Sequence, residues 1–461
     1  MGKSENRTGA GSIDFEELRE ADLPRTILTL AWPVVVEQTL FAFGSVINTI
    51  LIGRLGASSL AAIGLGQQAV SMPQVIFAAV VVGATAIVAR HVGAGEAKEA
   101  NRTIGQAVIL AVIFGVVFTV PLWLFAEQAM ALLRARPDVV ELGARYIRSI
   151  TPSLLPSLIL AAGGSVLRGA GDTRTPMLVM IVVSILSLVL GYTLIYGAFG
   201  FPALGVLGAG IAASISATVG ALGIIAVLVK GSGLLKYRLS DSLRLDLSEL
   251  RRIFGIGLPA GAEQVQFQIA FTIYAVIISS LGTVTYAAHA VAMRVEGFAF
   301  MPGWGFGIAA MALVGQSLGA ERPEIGEKAA YLAQRYAMIL MTVVGALMFF
   351  FGRQLSSIFI SDPEVIKVSA LGVKVWAFAM PMMGTSNTLA GALRGAGDTR
   401  WVFIFMTLCI WLVRLPVAFL LAQVAHLGAA GAWTGAVLDI NVRGALAWWR
   451  FATGKWKTIK I

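Results

Sequence analysis

The sequence predicts an all-α integral membrane protein with twelve transmembrane helices in two six-helix bundles. Three observations predict this fold class: the composition, the length of the apolar runs and an internal repeat. The 461 residues are 57% hydrophobic and only 13% charged, whereas a soluble domain of this length needs far more polar surface. The apolar runs reach the roughly 20 residues that a helix needs to cross a hydrocarbon core.

The internal repeat is clearest in the octapeptide LRGAGDTR. It occurs at Leu167–Arg174 and again at Leu393–Arg400, an offset of 226 residues (393 − 167). Other matches at this offset take Pro33, Glu37 and Gln38 onto Pro259, Glu263 and Gln264. Several separated matches in one register indicate that the chain contains two copies of one unit.

Each copy divides into six apolar spans. In the first copy they cover about 26–52, 58–90, 103–126, 139–166, 175–198 and 204–229. In the second copy they cover about 250–280, 284–316, 328–351, 365–392, 400–424 and 429–451. The predicted domains are an N-terminal segment at 1–24, an N-lobe at 25–229, a linker at 230–252, a C-lobe at 253–451 and a tail at 452–461. Since six is even, both copies enter the membrane from the same side, related by a pseudo-twofold axis along the membrane normal.

The basic residues predict the orientation in the membrane. They gather in alternate connections, around Arg90–Arg102, around Lys230–Arg252 and after Arg450, while the connections at Phe199–Ala203 and Ser279–Tyr286 carry none. By the positive-inside rule, a multi-pass protein of the cell membrane with both termini in the cytoplasm is expected. The net charge of +10 therefore indicates topology and not nucleic-acid binding.

The polar segments outside the spans have simpler interpretations. Met1–Leu23 is too polar and charged for a secretory signal, and Ile13–Leu23 is expected to form a short surface helix. The linker is basic and contains Gly231, Ser232 and Gly233, which predicts a flexible cytoplasmic strap.

The two octapeptides are predicted to form turns at cytoplasmic helix ends. Their glycines permit a tight turn, and Asp172 and Asp398 are positioned to accept backbone N–H groups at the start of the next helix. A phosphate-binding loop is excluded, because no strand precedes the glycines and no P-loop lysine follows them. The Arg/Asp pairs of the octapeptide are also candidates for a gating role.

Glu37 and Glu263 are the main candidates for chemistry. Each lies within an apolar span, one helical turn after Pro33 or Pro259. An ionised carboxylate at that depth costs several kcal/mol, so it is expected to bind a cation such as Na⁺ or to take up a proton. The alternative is a protonated side chain that only packs against a neighbouring helix. Each proline also frees a carbonyl one turn earlier, a further candidate ion ligand.

Other polar and aromatic residues are candidates for an ion or substrate site. Arg294 and Glu296 are two residues apart and do not face each other on one helix, so Arg294 is expected to find another partner, with Glu263 as a candidate. Arg414 and Asp439 are expected to form a structural ion pair. His289 is expected to pack in the core rather than to belong to the ion or substrate site. The remaining polar candidates are Gln38, Asn48, Gln264 and Gln268. The candidate cleft aromatics are Phe41, Phe267 and Trp304, which suit an organic cation.

At this point the chain resembles the multidrug and toxic compound extrusion family. The resemblance rests on the doubled LRGAGDTR and on the run AAHAVAMRVEGFAFMPGWGFGIAAMALVGQSLGA from Ala287 to Ala320, and it spans residues 25–450. It implies two six-helix lobes and efflux of organic cations coupled to inward H⁺ or Na⁺ flow. Two positions depart from the family pattern, because Asn48 and Phe267 stand where many members have acids. The ion site of those members therefore does not transfer to this chain.

The predicted function is secondary active efflux of amphipathic organic cations by antiport with H⁺ or Na⁺, with alternating access between the two lobes. The alternative is a flippase for lipid or lipid-linked oligosaccharide, which requires a strongly basic cleft. Enzymatic activity is not expected, since the chain has no HExxH motif and no set of Ser, His and Asp at one depth. The expected partners are small cationic substrates and the bilayer. The protein is expected to be monomeric and to need no cofactor apart from its coupling ion.

Overall fold

A computed structural model describes residues 20–133, 136–233, 235–237 and 245–461. In this part of the chain the secondary structure is helical apart from turns and an isolated bridge between Ser232 and Leu235. Residues 13–19 of the predicted surface helix lie outside the described residues. Glu20–Asp22 form a 3₁₀ turn that leads directly into the first long helix.

The helices of the first copy agree with the predicted spans to within a few residues, except at the start of the third. They are α1 (Leu23–Gly53), α2 (Ala57–Gly93), α3 (Ala97–Leu124), α4 (Ala126–Leu132), α5 (Pro137–Ile150), α6 (Leu154–Gly169), α7 (Arg174–Tyr196) and α8 (Val206–Lys230). The fourth predicted span consists of α5 and α6, joined by the 3₁₀ turn Thr151–Ser153. Pro152 lies in that turn, where its missing N–H interrupts the helical hydrogen bonds.

The second copy follows the same plan with two local differences. Its helices are α9 (Leu247–Ser279), α10 (Thr283–Gly319), α11 (Pro323–Ser357), α12 (Pro363–Ala377), α13 (Met380–Gly395), α14 (Thr399–Leu408), α15 (Leu415–Phe419) and α16 (Gly428–Ala452). The helix α11 continues where the first copy has α3 and α4, and the fifth span is interrupted. Two π-helical segments, Cys409–Arg414 and Leu420–Val424, flank α15. Such widened turns are rare and occur often at functional sites.

Twelve segments account for the predicted membrane crossings. Among the described residues, nine helical segments are long and apolar enough to cross a membrane, and α12 with α13, bent by 53°, makes a tenth. The other two are α9 and α16, which have 33 and 25 residues but carry more polar side chains within them. The predicted fold class of twelve helices in two bundles is therefore confirmed.

The chain forms two compact units, and α1 and α9 each contribute to both. Unit 1 contains Val36–Gly257. Unit 2 contains Leu258–Ile461 together with the described residues from Glu20 to Val35. The predicted lobes, which began at 25 and 253, differ from these units in the assignment of the first turns of α1 and α9. Close packing explains the difference, because a Cβ atom at Gly257 of α9 would lie 1.9 Å from the carbonyl oxygen of Ala79 in α2.

The residues just before α9 and α1 also make polar contacts, with α3 in unit 1 and with α11 in unit 2. Arg102 pairs with Asp246 in unit 1, and Lys328 pairs with Glu20 in unit 2. These pairs are related by the repeat offset of 226 (328 − 102 and 246 − 20). The described part of the linker is also attached to α3, because the backbone N–H of Lys236 donates to Asn101 Oδ1 at 2.9 Å. The predicted flexible strap is therefore held in place over these residues.

Candidate coupling and substrate site

The two octapeptide turns are buried. Leu167, Ala170, Leu393 and Ala396 are each at most 1% exposed. Gly171 and Gly397 adopt φ values of +90° and +86°, the left-handed conformation that favours glycine.

Each turn also packs against a carbonyl group of a neighbouring helix. A Cβ atom at Gly169 would lie 2.7 Å from the Thr85 oxygen, and one at Gly395 would lie 2.1 Å from the Met311 oxygen. Thr85 and Met311 lie eight residues before the ends of α2 and α10, or about 12 Å along each helix. The octapeptides therefore lie inside their units and do not form simple surface turns.

The predicted capping role holds for one aspartate and not for the other. Asp172 Oδ1 accepts the backbone N–H of Thr175 at 3.0 Å, and its Oδ2 accepts the Thr175 and Ser232 hydroxyls. The Asp398 side chain accepts no backbone N–H of the first turn of α14. It accepts instead from Arg450 Nε at 2.8 Å, because α16 brings a buried guanidinium to this position.

The octapeptide arginines are the partners of the membrane glutamates. Arg168 Nη1 lies 3.0 and 3.3 Å from the two carboxylate oxygens of Glu37. Arg394 Nη2 lies 2.7 and 2.9 Å from those of Glu263. The four side chains are only 11–15% exposed. Each unit therefore contains one largely buried ion pair, and the two pairs are related by the repeat.

These contacts correct the predicted environment of the glutamates. Arg394, and not Arg294, is the partner of Glu263, because Arg394 lies in the last turn of α13, whereas Arg294 is exposed on α10. Neither glutamate is surrounded by apolar groups alone. Charge-assisted hydrogen bonds to a guanidinium compensate each carboxylate, and removal of either partner leaves an uncompensated charge.

The other predicted site residues are more accessible. Gln38 and Asn48 are half-buried on α1, and Gln264 and Gln268 are exposed one turn apart on α9. Phe41 is 62% exposed. Phe267 stacks on Phe271 with ring centroids 6.4 Å apart, and Trp304 contacts Phe300 at 5.8 Å. In the described residues, no group of three or more His, Cys, Asp and Glu side chains is arranged to hold a metal ion.

The predicted pair of Arg414 and Asp439 is present, and a third residue, Arg443, joins it. Arg414 Nε donates to Asp439 Oδ2 at 2.9 Å, and Arg443 donates to the same oxygen. The predicted packing role of His289 agrees with the structure, since buried His289 accepts a hydrogen bond from Trp433 Nε1 at 3.2 Å. Its Nδ1 is therefore an acceptor.

Arg168 and Arg394 were not among the predicted site residues. One signal in the sequence pointed to them: each follows its glutamate by 131 residues (168 − 37 and 394 − 263), a separation that the repeat preserves. That separation does not by itself say that the residues meet. The orientation of α6 against α1, and of α13 against α9, decides the contact.

Comparisons with known proteins identify the family of the chain. The MatE family model matches residues 33–193 and 259–420, so its two matches begin at Pro33 and Pro259. The chain is 32% identical to the probable multidrug resistance protein NorM of Thermotoga maritima, covering 95% of this chain and 94% of that protein. It is 27% identical to the multidrug resistance protein PmpM of Pseudomonas aeruginosa, covering 90% and 88%.

Solved structures give the same fold. A crystal structure of a MATE protein in complex with MaL6 superimposes with a TM-score of 0.88 at 23% identity, covering 96% of this chain and 100% of that one. An outward-facing multidrug resistance MATE transporter gives a TM-score of 0.88 at 23% identity, covering 95% and 97%. The family model matches both copies, a relative aligns over nearly the full length, and the solved structures share the fold. The chain therefore belongs to the MATE family of membrane transporters.

Proposed function

We propose that this chain is a secondary active efflux transporter that exports amphipathic organic cations by antiport with H⁺ or Na⁺. Its full-length relatives named as multidrug resistance proteins support export of drugs. The observation that carries the coupling proposal is the pair of largely buried ion pairs, Glu37–Arg168 and Glu263–Arg394, one in each unit.

Each ion pair provides a way to link ion binding to helix movement. With both side chains ionised the pair is neutral. A proton or Na⁺ on the glutamate neutralises the carboxylate and leaves the arginine without its counter-charge. An uncompensated guanidinium in such a low-dielectric setting costs several kcal/mol, so the arginine has to move or find another acid. Ion binding at Glu37 therefore loosens the attachment of α1 to the end of α6.

The position of the prolines fits this mechanism. Pro33 interrupts the hydrogen bonds of α1 two residues before the helix passes from unit 2 to unit 1 at Val35 and Val36. Pro259 occupies the matching place in α9, next to the boundary at Gly257 and Leu258. A proline inside a helix favours bending there. Each glutamate is thus the polar anchor of its helix just beyond a flexible point.

The test is transport of tetraphenylphosphonium in proteoliposomes with imposed pH or Na⁺ gradients. Glu37→Gln and Glu263→Gln, singly and together, are expected to abolish uphill transport. The variant Glu37→Gln/Arg168→Gln removes both charges, leaves no unpaired ion, and is expected to fold but not to couple. Glu141→Gln, in an exposed pair with Arg145, is the control. Uphill transport that survives loss of both glutamates would refute the coupling role.

The same assay separates H⁺ from Na⁺ coupling, because either gradient can be imposed alone.

The flippase alternative receives little support from the arginines within the helices. Arg168, Arg394, Arg414 and Arg443 are each paired with a carboxylate, which leaves less positive charge for a pyrophosphate group.

A further inference from the structure

Unit 2 contains a buried charge cluster that is separate from the two Glu–Arg pairs. Arg414 Nε and Nη2 donate to Asp439 Oδ2 at 2.9 and 2.8 Å, and Arg443 donates to the same oxygen. The Asp439 side chain is 0% exposed and that of Arg414 is 7% exposed. Two guanidinium groups against one carboxylate leave a net charge of +1 (2 − 1).

Glu296 on α10 supplies the remaining negative charge. It is half-buried and lies within electrostatic range of Arg414. Among the described residues it has no hydrogen-bond or ion-pair partner. With Glu296 ionised, the four groups sum to zero (2 − 2). Glu296 is half-buried and has no partner in the described part of the chain, whereas the Asp439 carboxylate is enclosed and paired with two guanidinium groups.

Two aromatic rings lie on the same side of α10 as this carboxylate. Glu296, Phe300 and Trp304 occupy positions i, i+4 and i+8, which place them along one helix face. The Phe300 and Trp304 rings are 5.8 Å apart and inclined by 35°, and both side chains are half-buried. A carboxylate next to aromatic faces is the combination that attracts an organic cation.

The first copy has no equivalent of this arrangement. Val70, Gln74 and Ala78 occupy the positions 226 residues before Glu296, Phe300 and Trp304. The helices α7 and α8 carry no Asp, Glu, Lys or Arg between Arg174 and Lys230. Because the two copies otherwise share their fold, a site confined to unit 2 indicates a role that the Glu–Arg pairs of both units do not supply.

We propose that Glu296, Phe300 and Trp304 bind the charged group of a lipophilic organic cation, and that the Arg414–Asp439–Arg443 cluster sets the affinity through its charge. The site is the substrate-recognition counterpart of the proposed transport function and rests on it for its role. A proton on Glu296 competes with the cation, because it removes the charge that attracts the ligand.

The other charged and titratable groups around Glu296 are accounted for. Arg294, two residues away, is exposed and does not share its face of α10. His289 accepts from Trp433, and the Tyr274 hydroxyl of α9 donates to the Ala432 carbonyl at 3.0 Å. Arg414 also lies 5.9 Å from the centre of the Phe267 ring and 6.0 Å from that of Tyr274. Arg414 is thus the charged group of the cluster that acts on Glu296.

Equilibrium binding of tetraphenylphosphonium to the purified full chain in detergent, without any ion gradient, tests the proposal. Glu296→Gln is nearly isosteric and breaks no hydrogen bond or ion pair among the described residues, so the protein is expected to elute as the wild type does on size exclusion. Its affinity should fall about ten- to a hundredfold, the range for loss of a charge-assisted contact. Trp304→Leu should also weaken binding. Glu364→Gln removes one exposed acid from the same unit and should bind as the wild type does.

The sign of two further changes separates a binding role from a structural one. Arg414→Gln removes positive charge near the site and should strengthen cation binding, whereas Asp439→Asn removes negative charge and should weaken it. Binding should tighten as pH rises in the wild type, and Glu296→Gln should lose that dependence. Affinity of Glu296→Gln within twofold of wild type, or shifts of one sign for the Arg414 and Asp439 variants, would overturn the proposal. Failure of the coupling role would appear instead as uphill transport that survives the Glu37 and Glu263 variants.

Discussion

The ion pair between Glu263 and Arg394 provides the sharpest test of how unit 2 is held together. Its hydrogen bonds are 2.7 and 2.9 Å long, and its side chains are 11% and 12% exposed. Breaking a buried pair by removing one partner costs about 3–5 kcal/mol, because it leaves the other charge uncompensated. With slight exposure on both sides, about 3 kcal/mol is expected. For a unit of this size that corresponds to a Tm lower by about 6–12 °C.

The assay is thermal unfolding of purified Glu263→Gln, Arg394→Gln and the double variant at one pH and salt concentration. The double variant should unfold within about 3 °C of the wild type, because it contains no unpaired charge. Glu141→Gln breaks a pair whose side chains are 56% and 74% exposed and should cost less than about 1 kcal/mol. If the double variant loses as much as the two single variants combined, the residues do not interact and the pairing is wrong.

The remaining predictions use the same unfolding measurement. Gly395→Ala should cost about 1–3 kcal/mol, since its Cβ would lie 2.1 Å from a backbone oxygen of α10. By contrast, Gly255→Ala, with nothing within 4 Å, should stabilise α9 by about 0.5–1 kcal/mol; equal losses at both glycines would contradict the packing argument. Asp398→Asn should lower Tm more than Asp172→Asn, because only the former leaves a buried arginine without its acid, while an asparagine still accepts the capping N–H. Lys328→Gln, in a pair 53% and 68% exposed, should change stability by less than about 1 kcal/mol, and a large loss would show that this contact anchors α1.

Most of the fold was predictable because its signals are local or periodic. Apolar runs of membrane-spanning length located the helices, and the offset of 226 related the copies without any knowledge of their packing. Breaks within the helical spans were harder to predict. The turn at Thr151–Ser153 contains a proline, and the two π-helical segments lie on either side of Pro416. Both breaks therefore had a local signal, which hydropathy alone does not reveal.

The site was predictable only in part. Glu37 and Glu263 stood out because a carboxylate in an apolar run is costly, but the octapeptide was interpreted as a turn alone. Arg168 and Arg394 belong to that turn by sequence and to the ion pairs by structure. Asp172 and Asp398 have identical local sequences, yet Ser232 meets one and Arg450 the other. Local sequence cannot distinguish them, because their partners lie 60 and 52 residues away.

By itself, the sequence determined that this protein is a duplicated, membrane-spanning bundle with one acid in the first apolar span of each copy. Composition and repeat register are properties of the linear chain, so they required no coordinates. The tertiary structure decided which charges meet, and it assigned the first turns of α1 and α9 to the opposite units. It also assembled the Arg414–Asp439–Arg443 cluster in unit 2. These outcomes depend on the rotation and crossing of packed helices, which bring together side chains that no local pattern connects.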